Sequence, residues 1–336
     1  MYKTRYSIWD EKEFPGFTGF LSNLYNTSMN NFYKKTVKEE KYDKKEIKQE
    51  ASILEDYIKD IEYYYVSLLK LGFITKQNYD NVLKQLESLH YIKVFPKNQR
   101  SLYGLSNYNP RHIVINPDLK PEFGFSIDCV RQMCISHELG HIINMSWWRD
   151  AREYGDELYN DPRVRTILKN MNLDDPKYLK YGFSLLDEVV VQEAAEAVTY
   201  RMANKPRPSK EYRTDKAIFK HNPYLTNYAL YGELQEFAIK FARSLDFVNT
   251  ESTDTDQDVL TKLARRSFDK NFISRIKYEI DNNTSKKDNL IIMLACMGSI
   301  KAATYKILNL EKDERELDTM MYTDSFNKAA KSTIKR

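Results

Sequence analysis

The chain has 336 residues, of which 42% are hydrophobic and 30% are charged, and its formal net charge is only +4. This apolar fraction is enough to build a core and excludes a disordered chain, while the near balance of 52 basic and 48 acidic residues argues against a nucleic-acid-binding protein. Ten glycines and ten prolines are few for this length, which favours long helices over a many-turned β architecture.

The cysteine count and the hydropathy pattern predict the compartment. Three cysteines (Cys129, Cys134 and Cys296) cannot form a disulfide framework, and their odd number is typical of a reducing environment. No segment reaches the roughly 18 consecutive apolar residues that a membrane span requires, and the first residues lack the apolar region of a signal peptide. We therefore expect a cytoplasmic protein without a membrane partner, with export lacking a cleavable signal as the open alternative.

The N-terminal part of the chain is predicted to be helical. Residues 1–33 mix aromatic, glycine and asparagine residues without a clear period, which predicts an irregular lead-in. From residue 37 to 71, and again from 75 to 89, apolar residues recur at spacings of three and four. This spacing gives each segment one apolar helical face, so the two helices can pair as an antiparallel hairpin.

A small antiparallel sheet is predicted next. Residues 91–95 and 111–116 are short, rich in β-branched residues and bounded by turn residues, as strands are. The segment 101–110 between them is rich in glycine, serine and asparagine and is predicted to be a connection.

The rest of the chain is predicted to form helices, so the fold class is mainly α with a minor β component. One helix begins after Ser126 and runs to about Trp148, a second follows Asp161, and a third begins near Ser184. Further helices are expected near 231–245, 257–281 and 288–309.

One short motif carries chemical information. His137-Glu138-Leu139-Gly140-His141 has the form H-E-x-x-H within a segment of helical apolar pattern. On a helix the two histidines lie one turn apart on the same face, so that both imidazoles can bind one metal ion. Gly140 leaves the helix surface bare beside them, which would let a β-strand or a substrate backbone approach closely.

These residue types suit a catalytic zinc site. Zn²⁺ binds neutral imidazole nitrogen at about 2.0–2.1 Å and keeps one coordination position for water in catalytic sites. The bound water then ionises near neutral pH. Glu138 would accept its proton as the water attacks a carbonyl and return it to the leaving amine.

Two histidines do not complete such a site, and a downstream carboxylate is the expected third ligand. Glu188 is the best candidate because it lies on a strongly apolar helix, where an acid is costly unless it is paired or metal-bound. Glu193 and Glu196 on the same helix compete with it, the alternative for both being a solvated helix face.

The H-E-x-x-H motif followed by a helix-borne glutamate resembles the gluzincin zinc metallopeptidases over residues 110–205. The resemblance implies a zincin-like core with His137, His141 and Glu188 as metal ligands and Glu138 as general base. The chain departs from the family pattern at Gln192, where the family has an acidic residue that orients a ligand histidine. The domains expected on this basis are a helical region at 1–95, the metallopeptidase domain at 96–315 and a basic tail at 316–336.

A substrate-pairing strand and an oxyanion donor are the two further elements predicted for such a site. The strand at 111–116 is placed to pair with a substrate backbone, the alternative being an ordinary core strand. An oxyanion donor is also needed, and His221 is the first choice, with Tyr200, Tyr224 and Tyr228 as alternatives.

Other chemically suggestive residues are interpreted as structural or, for the two histidines, as structural or exposed. This group comprises His90, His112, Cys129, Cys134, Trp147 and Trp148. The sequence therefore predicts a zinc-dependent endopeptidase acting on a protein or peptide substrate. Two alternatives stay open: a zincin scaffold that binds without hydrolysis, and a selective regulatory or effector protease with a single protein partner.

Overall fold

The computed structural model describes residues 16–40, 42–95, 104–108, 111–121, 124–206, 231–283 and 285–307. Within these ranges the chain is mainly helical and carries a small three-stranded mixed sheet. No helix in these ranges is both long enough and apolar enough to cross a bilayer. The chain divides into two compact units, which are described in turn.

The first unit combines Met1–Ser146 with Val191–Arg207. Its N-terminal helices are α1 (Phe17–Asn31), which continues through a π-helical turn (Phe32–Thr36) into α2 (Val37–Glu40), then α3 (Lys44–Lys70) and α4 (Tyr79–Glu87). Both helices of the predicted hairpin are present, and α1 contacts each of them. Asp43 begins α3 with a capping box, in which its side chain accepts from backbone amides and Glu46 bonds back to the Asp43 amide.

The predicted irregular lead-in is wrong for residues 17–31, which form α1. Phe17, Phe20, Leu21 and Leu24 are all buried, and their spacing of three and four is that of one helical face. The period is present in the sequence, but glycine, asparagine and serine between these positions dilute it.

The sheet consists of β1 (Tyr91–Val94), β2 (Gly104–Tyr108) and β3 (Arg111–Ile115) in the order β1-β3-β2. β2 pairs antiparallel with β3, whereas β1 pairs parallel with it, so the prediction of an antiparallel sheet is wrong and the sheet is mixed. The strand β2 was predicted to be a connection, because glycine, serine and asparagine have low strand propensity. Pairing along β3 overrides that propensity.

Two long helices contribute residues to both units. These are α5 (Ile127–Asn160) and α7 (Lys177–Met202). α5 runs past the predicted end at Trp148 because nothing breaks it before Asp161 and Pro162. α7 begins earlier than the predicted Ser184, since the Asp175 side chain accepts a hydrogen bond from the Lys177 amide at 2.8 Å and starts the helix there.

The second unit combines Trp147–Val190 with Pro208–Arg336. Its remaining helices are α6 (Pro162–Asn170), α8 (Tyr231–Ser244), α9 (Asp256–Ser267), α10 (Phe272–Asn282) and α11 (Lys287–Ile307), with a 3-10 turn at Asp246–Val248. α9 and α10 replace the single helix predicted near 257–281. The Asp269 side chain accepts from the Asn271 amide at 2.9 Å and starts α10 as a separate helix.

The predicted division at 1–95, 96–315 and 316–336 remains a prediction, and the basic tail lies outside the described residues.

Candidate metal centre

The motif helix α5 is amphipathic in the way the sequence predicted. Ile135, Leu139 and Ile142 are fully buried along one side of the helix. His137 and His141 lie on another face, one turn apart, and their rings are 4.7 Å apart between centroids. His141 is buried and His137 is half-buried, so that the pair lies at the margin of the core.

The two imidazoles face each other through their Nε2 atoms. His137 Nε2 and His141 Nε2 are 3.1 Å apart. Two nitrogens bound to one ion at 2.0–2.1 Å with tetrahedral geometry would be separated by roughly 3.3 Å. The observed separation is therefore close to what chelation of a single ion requires.

Glu188 of α7 completes a group of three ligands. His137, His141 and Glu188 each offer one ligand atom, and these atoms all lie within 4.8 Å of one another. Within the described ranges no other combination of three histidine, cysteine, aspartate or glutamate residues meets this criterion. The group could hold a metal ion, and it contains the glutamate favoured by the sequence rather than Glu193 or Glu196.

The competing glutamates have other surroundings. Glu193 is only 2% exposed, so the alternative of a solvated helix face is wrong for this residue. Glu196 is half-buried, and its Oε1 accepts a hydrogen bond from Gln192 Nε2 at 3.1 Å. Because Glu188, Gln192 and Glu196 are spaced by four residues, they follow one another along the same side of α7.

Gln192 contacts the first histidine. Its Oε1 lies 3.0 Å from His137 Nδ1, the ring nitrogen that is not directed at His141. The residue at which the chain departs from the gluzincin pattern thus occupies the position of the orienting partner and makes that contact through an amide. The sequence did not assign Gln192 to this contact. The spacing of four residues between Glu188 and Gln192, which puts both on one side of the helix, was the pattern that could have predicted it.

The glycine of the motif packs against α7. A Cβ placed on Gly140 would lie 2.7 Å from Val191 Cβ, closer than real side-chain atoms approach. The bare surface at Gly140 therefore admits Val191, and the predicted approach of a β-strand or substrate at this residue is wrong. This close crossing places Gln192, the next residue of α7, beside His137.

Glu138 lies under the sheet. The residue is buried, at 9% exposure, and its Cγ and Oε1 are each 3.1 Å from the position that a Gly104 Cβ would take. Gly104 is the first residue of β2, so this strand begins beside the expected general base. A side chain at residue 104 would require the Glu138 carboxylate to shift by a few tenths of an ångström.

The candidate oxyanion donors are not brought to the site within the described residues. His221, Tyr224 and Tyr228 lie outside those residues. Tyr200 packs its ring against Phe125 with a centroid distance of 5.0 Å. It also lies twelve residues beyond Glu188 on one helix, a rise of about 18 Å, which is too far for a role at the metal.

The residues interpreted as structural or exposed have surroundings that agree with that interpretation. His112 is buried and stacks on Tyr91, whereas His90 is exposed. Trp147 is fully buried and donates to the Ser267 carbonyl at 2.8 Å, and Trp148 donates to Asp187 Oδ2 at 2.9 Å. Cys129 is buried and Cys134 is half-buried.

Comparison with known proteins identifies no relative of this chain. No family model, no curated protein and no solved structure matches the chain. The resemblance to gluzincins therefore depends on the motif, on Glu188 and on the arrangement of the three ligand residues.

Proposed function

We propose that the protein is a gluzincin-type zinc metallopeptidase. The observation that carries this proposal is the convergence of His137, His141 and Glu188, whose ligand atoms lie within 4.8 Å of one another. Two imidazole nitrogens and one carboxylate oxygen form a donor set that suits Zn²⁺ and leaves a coordination position for water. Metal sites that serve only structure usually have four protein ligands, so three ligands favour catalysis.

Glu138 is the proposed general base. When bound, a zinc ion would lower the pKa of a coordinated water to near neutrality. Glu138 follows His137 directly and is turned roughly 100° from it around the helix, which brings its carboxylate alongside the ligands. It would accept the proton of the attacking water and deliver it to the leaving amine. The low exposure of Glu138 would limit competition from bulk water during this transfer.

The proposed substrate is an extended peptide that pairs along the β2 edge of the sheet. β3, the strand proposed from the sequence, is central and has no free edge. The opposite edge is occupied, since the Ile92 amide of β1 donates to Ser28 Oγ of α1 at 2.9 Å. β2 forms the remaining edge and begins beside Glu138, so a peptide added along it would present a carbonyl near the proposed base.

The decisive experiment measures metal content and peptide hydrolysis together. Protein purified with zinc should contain about one equivalent and cleave members of a peptide library, and a chelator should abolish both. Glu138→Gln should retain zinc while turnover falls by at least about a thousandfold, since general-base and electrostatic contributions are lost together. Glu153→Gln, which changes an exposed glutamate of the same helix, is the matched control and should leave turnover unchanged.

Each result separates the candidate functions. Undiminished cleavage by Glu138→Gln would exclude this residue as the base, and a folded protein that takes up no metal would contradict the proposal as a whole. Zinc binding without cleavage of any library peptide would favour the two alternatives, a non-hydrolytic scaffold or a protease restricted to one protein partner.

A further inference from the structure

The side-chain amide of Gln192 lies between a proposed metal ligand and a second carboxylate. Its Oε1 is 3.0 Å from His137 Nδ1, and its Nε2 donates to Glu196 Oε1 at 3.1 Å. The same Nε2 lies 3.8 Å from Met133 Sδ, a weak acceptor. Both N–H groups of the amide therefore face acceptors, and its oxygen faces the imidazole.

If Glu196 is ionised, the hydrogen bonds that link Glu196, Gln192 and His137 fit one assignment of donors and acceptors. An ionised carboxylate only accepts hydrogen bonds, so Glu196 requires the NH₂ end of the Gln192 amide. The carbonyl end must then face His137, and because it also only accepts, the proton of the neutral imidazole must be on Nδ1. The lone pair of His137 is thereby left on Nε2, the atom that faces His141 Nε2 at 3.1 Å.

We propose that Glu196 is a positioning residue that fixes the tautomer of His137 through Gln192. The inference depends on the proposed function, since it is as a metal ligand that His137 needs a free Nε2. A carboxylate next to the ring could accept the Nδ1 proton in either of its orientations. An amide can do so in only one, and its two ends are nearly the same size, so the orientation must be set by a further group. Glu196 provides that group.

In this role Glu196 acts on the metal site through Gln192 and does not need to bind the metal itself. Without an acceptor at residue 196, the amide can rotate and present its NH₂ end to His137. That orientation favours the tautomer with the proton on Nε2, which must be lost before a metal binds. Glu196 therefore increases metal affinity without contacting the metal.

The test compares Glu196→Met with Glu196→Gln in the 336-residue chain. Imidazole ¹⁵N chemical shifts of the metal-free protein, recorded above the pH range in which histidine is protonated, report the tautomer of His137. Zinc titration reports affinity. We expect the Nδ1–H form in the unmodified protein, a mixture or the Nε2–H form in Glu196→Met, and about tenfold weaker zinc binding by that variant. Glu196→Gln should give results between those of the unmodified protein and Glu196→Met, because its amide oxygen can still accept from Gln192 but the amide can also rotate.

The control is Glu236→Met, which removes an exposed glutamate paired with Lys240 and should change neither measurement. An unchanged His137 tautomer in Glu196→Met would overturn the proposal. So would loss of the Nδ1–H form in Glu196→Gln to the same extent as in the methionine variant. Because the tautomer is measured without metal, failure of the unmodified protein to bind zinc would contradict the proposed function and leave the assignment of Glu196 testable.

Discussion

The two compact units bury different kinds of groups between their helices. Most of the buried polar and charged side chains among the described residues belong to the first unit, including Asp60, Gln132 and Glu193. In the second unit, α7 and α11 approach through glycine instead. A Cβ on Gly182 would lie 2.1 Å from the Leu294 carbonyl oxygen, and one on Gly298 would lie 1.7 Å from that of Tyr178.

This difference shows that one helix, α7, can be fixed by backbone contacts along one part and by side-chain contacts along the other. Residues 177–190 of α7 belong to the second unit, where backbone contacts at glycines fix the helix. Residues 191–202 belong to the first unit, where directional hydrogen bonds at Gln192 and a side-chain contact at Val191 fix it. Backbone atoms cannot rotate away from an added group as side chains can, so substitutions at the two glycine contacts should differ in severity.

The largest effect is expected from Gly298→Ala. The added methyl group would overlap the Tyr178 carbonyl oxygen, and only displacement of a whole helix relieves that overlap. We expect the free energy of unfolding to fall by about 3 kcal/mol or more, at the upper end of overpacking costs. Denaturant titration measures this change.

Gly19→Ala is the matched control for that prediction, because a Cβ at Gly19 of α1 meets no atom within 4 Å. There alanine should stabilise the protein by about 0.5–1 kcal/mol through its higher helix propensity. A Gly298→Ala variant as stable as the unmodified protein would show that the close contact between α7 and α11 is not required.

A smaller effect is expected from Gly140→Ala in the first unit. The new Cβ would meet Val191 Cβ at 2.7 Å and Cγ1 at 2.9 Å. Rotation about χ1 of Val191 can move Cγ1 but not Cβ, so the backbone must also shift, although by less than the 1.7 Å contact at Gly298 requires. We expect a loss of about 1–3 kcal/mol in the free energy of unfolding, together with weaker zinc binding, because the crossing that places Gln192 beside His137 is widened.

A double-mutant cycle tests whether the effect arises at this contact. Combining Gly140→Ala with Val191→Gly restores the space, so the double variant should be more stable than the sum of the two single changes predicts. Strict additivity of the two changes would place the cause of the destabilisation elsewhere.

Much of the fold was predictable because its determinants are local. The spacing of apolar residues predicted α3 and α4, and Asp161 with Pro162 predicted the start of α6. Sheet direction could not be predicted, since β1 pairs with β3 rather than with its neighbour in sequence. The strand β2 could not be predicted either, because it depends on pairing with β3 and not on its own residues.

In the candidate site, too, some features follow from the local sequence and others depend on tertiary contacts. Two histidines spaced by four residues share a face on any helix, so this pair follows from the sequence alone. The position of Gln192 beside His137 depends on where α7 crosses α5, and Gly140 contacts Val191 at that crossing. A sequence shows that Gly140 is bare but does not show which group fills the space.

The smallest effect concerns a polar contact of the first unit, in which Asp60 of α3 pairs with Arg131 of α5. Burial raises the pKa of Asp60 from 3.8 to about 6, although Arg131 lowers it, and nearby Asp56 and Asp128 raise it further. The folded protein therefore binds a proton at Asp60 more tightly than the unfolded chain does. The stabilisation from this proton is complete below pH 3.8 and is lost as the pH rises through 6.

Unfolding free energies measured from pH 7 to pH 5 should reveal this proton. Over that range the unmodified protein should gain roughly 1 kcal/mol relative to Asp60→Asn, which cannot take up the proton. Asp128→Asn removes an exposed partner of the same arginine but keeps Asp60, so it should retain the pH dependence. If Arg131 dominated over burial, the pKa of Asp60 would be depressed and the difference would have the opposite sign. The polar contacts of the first unit would then contribute net stability near neutral pH, and the contrast with the glycine contacts of the second unit would be smaller than the structure suggests.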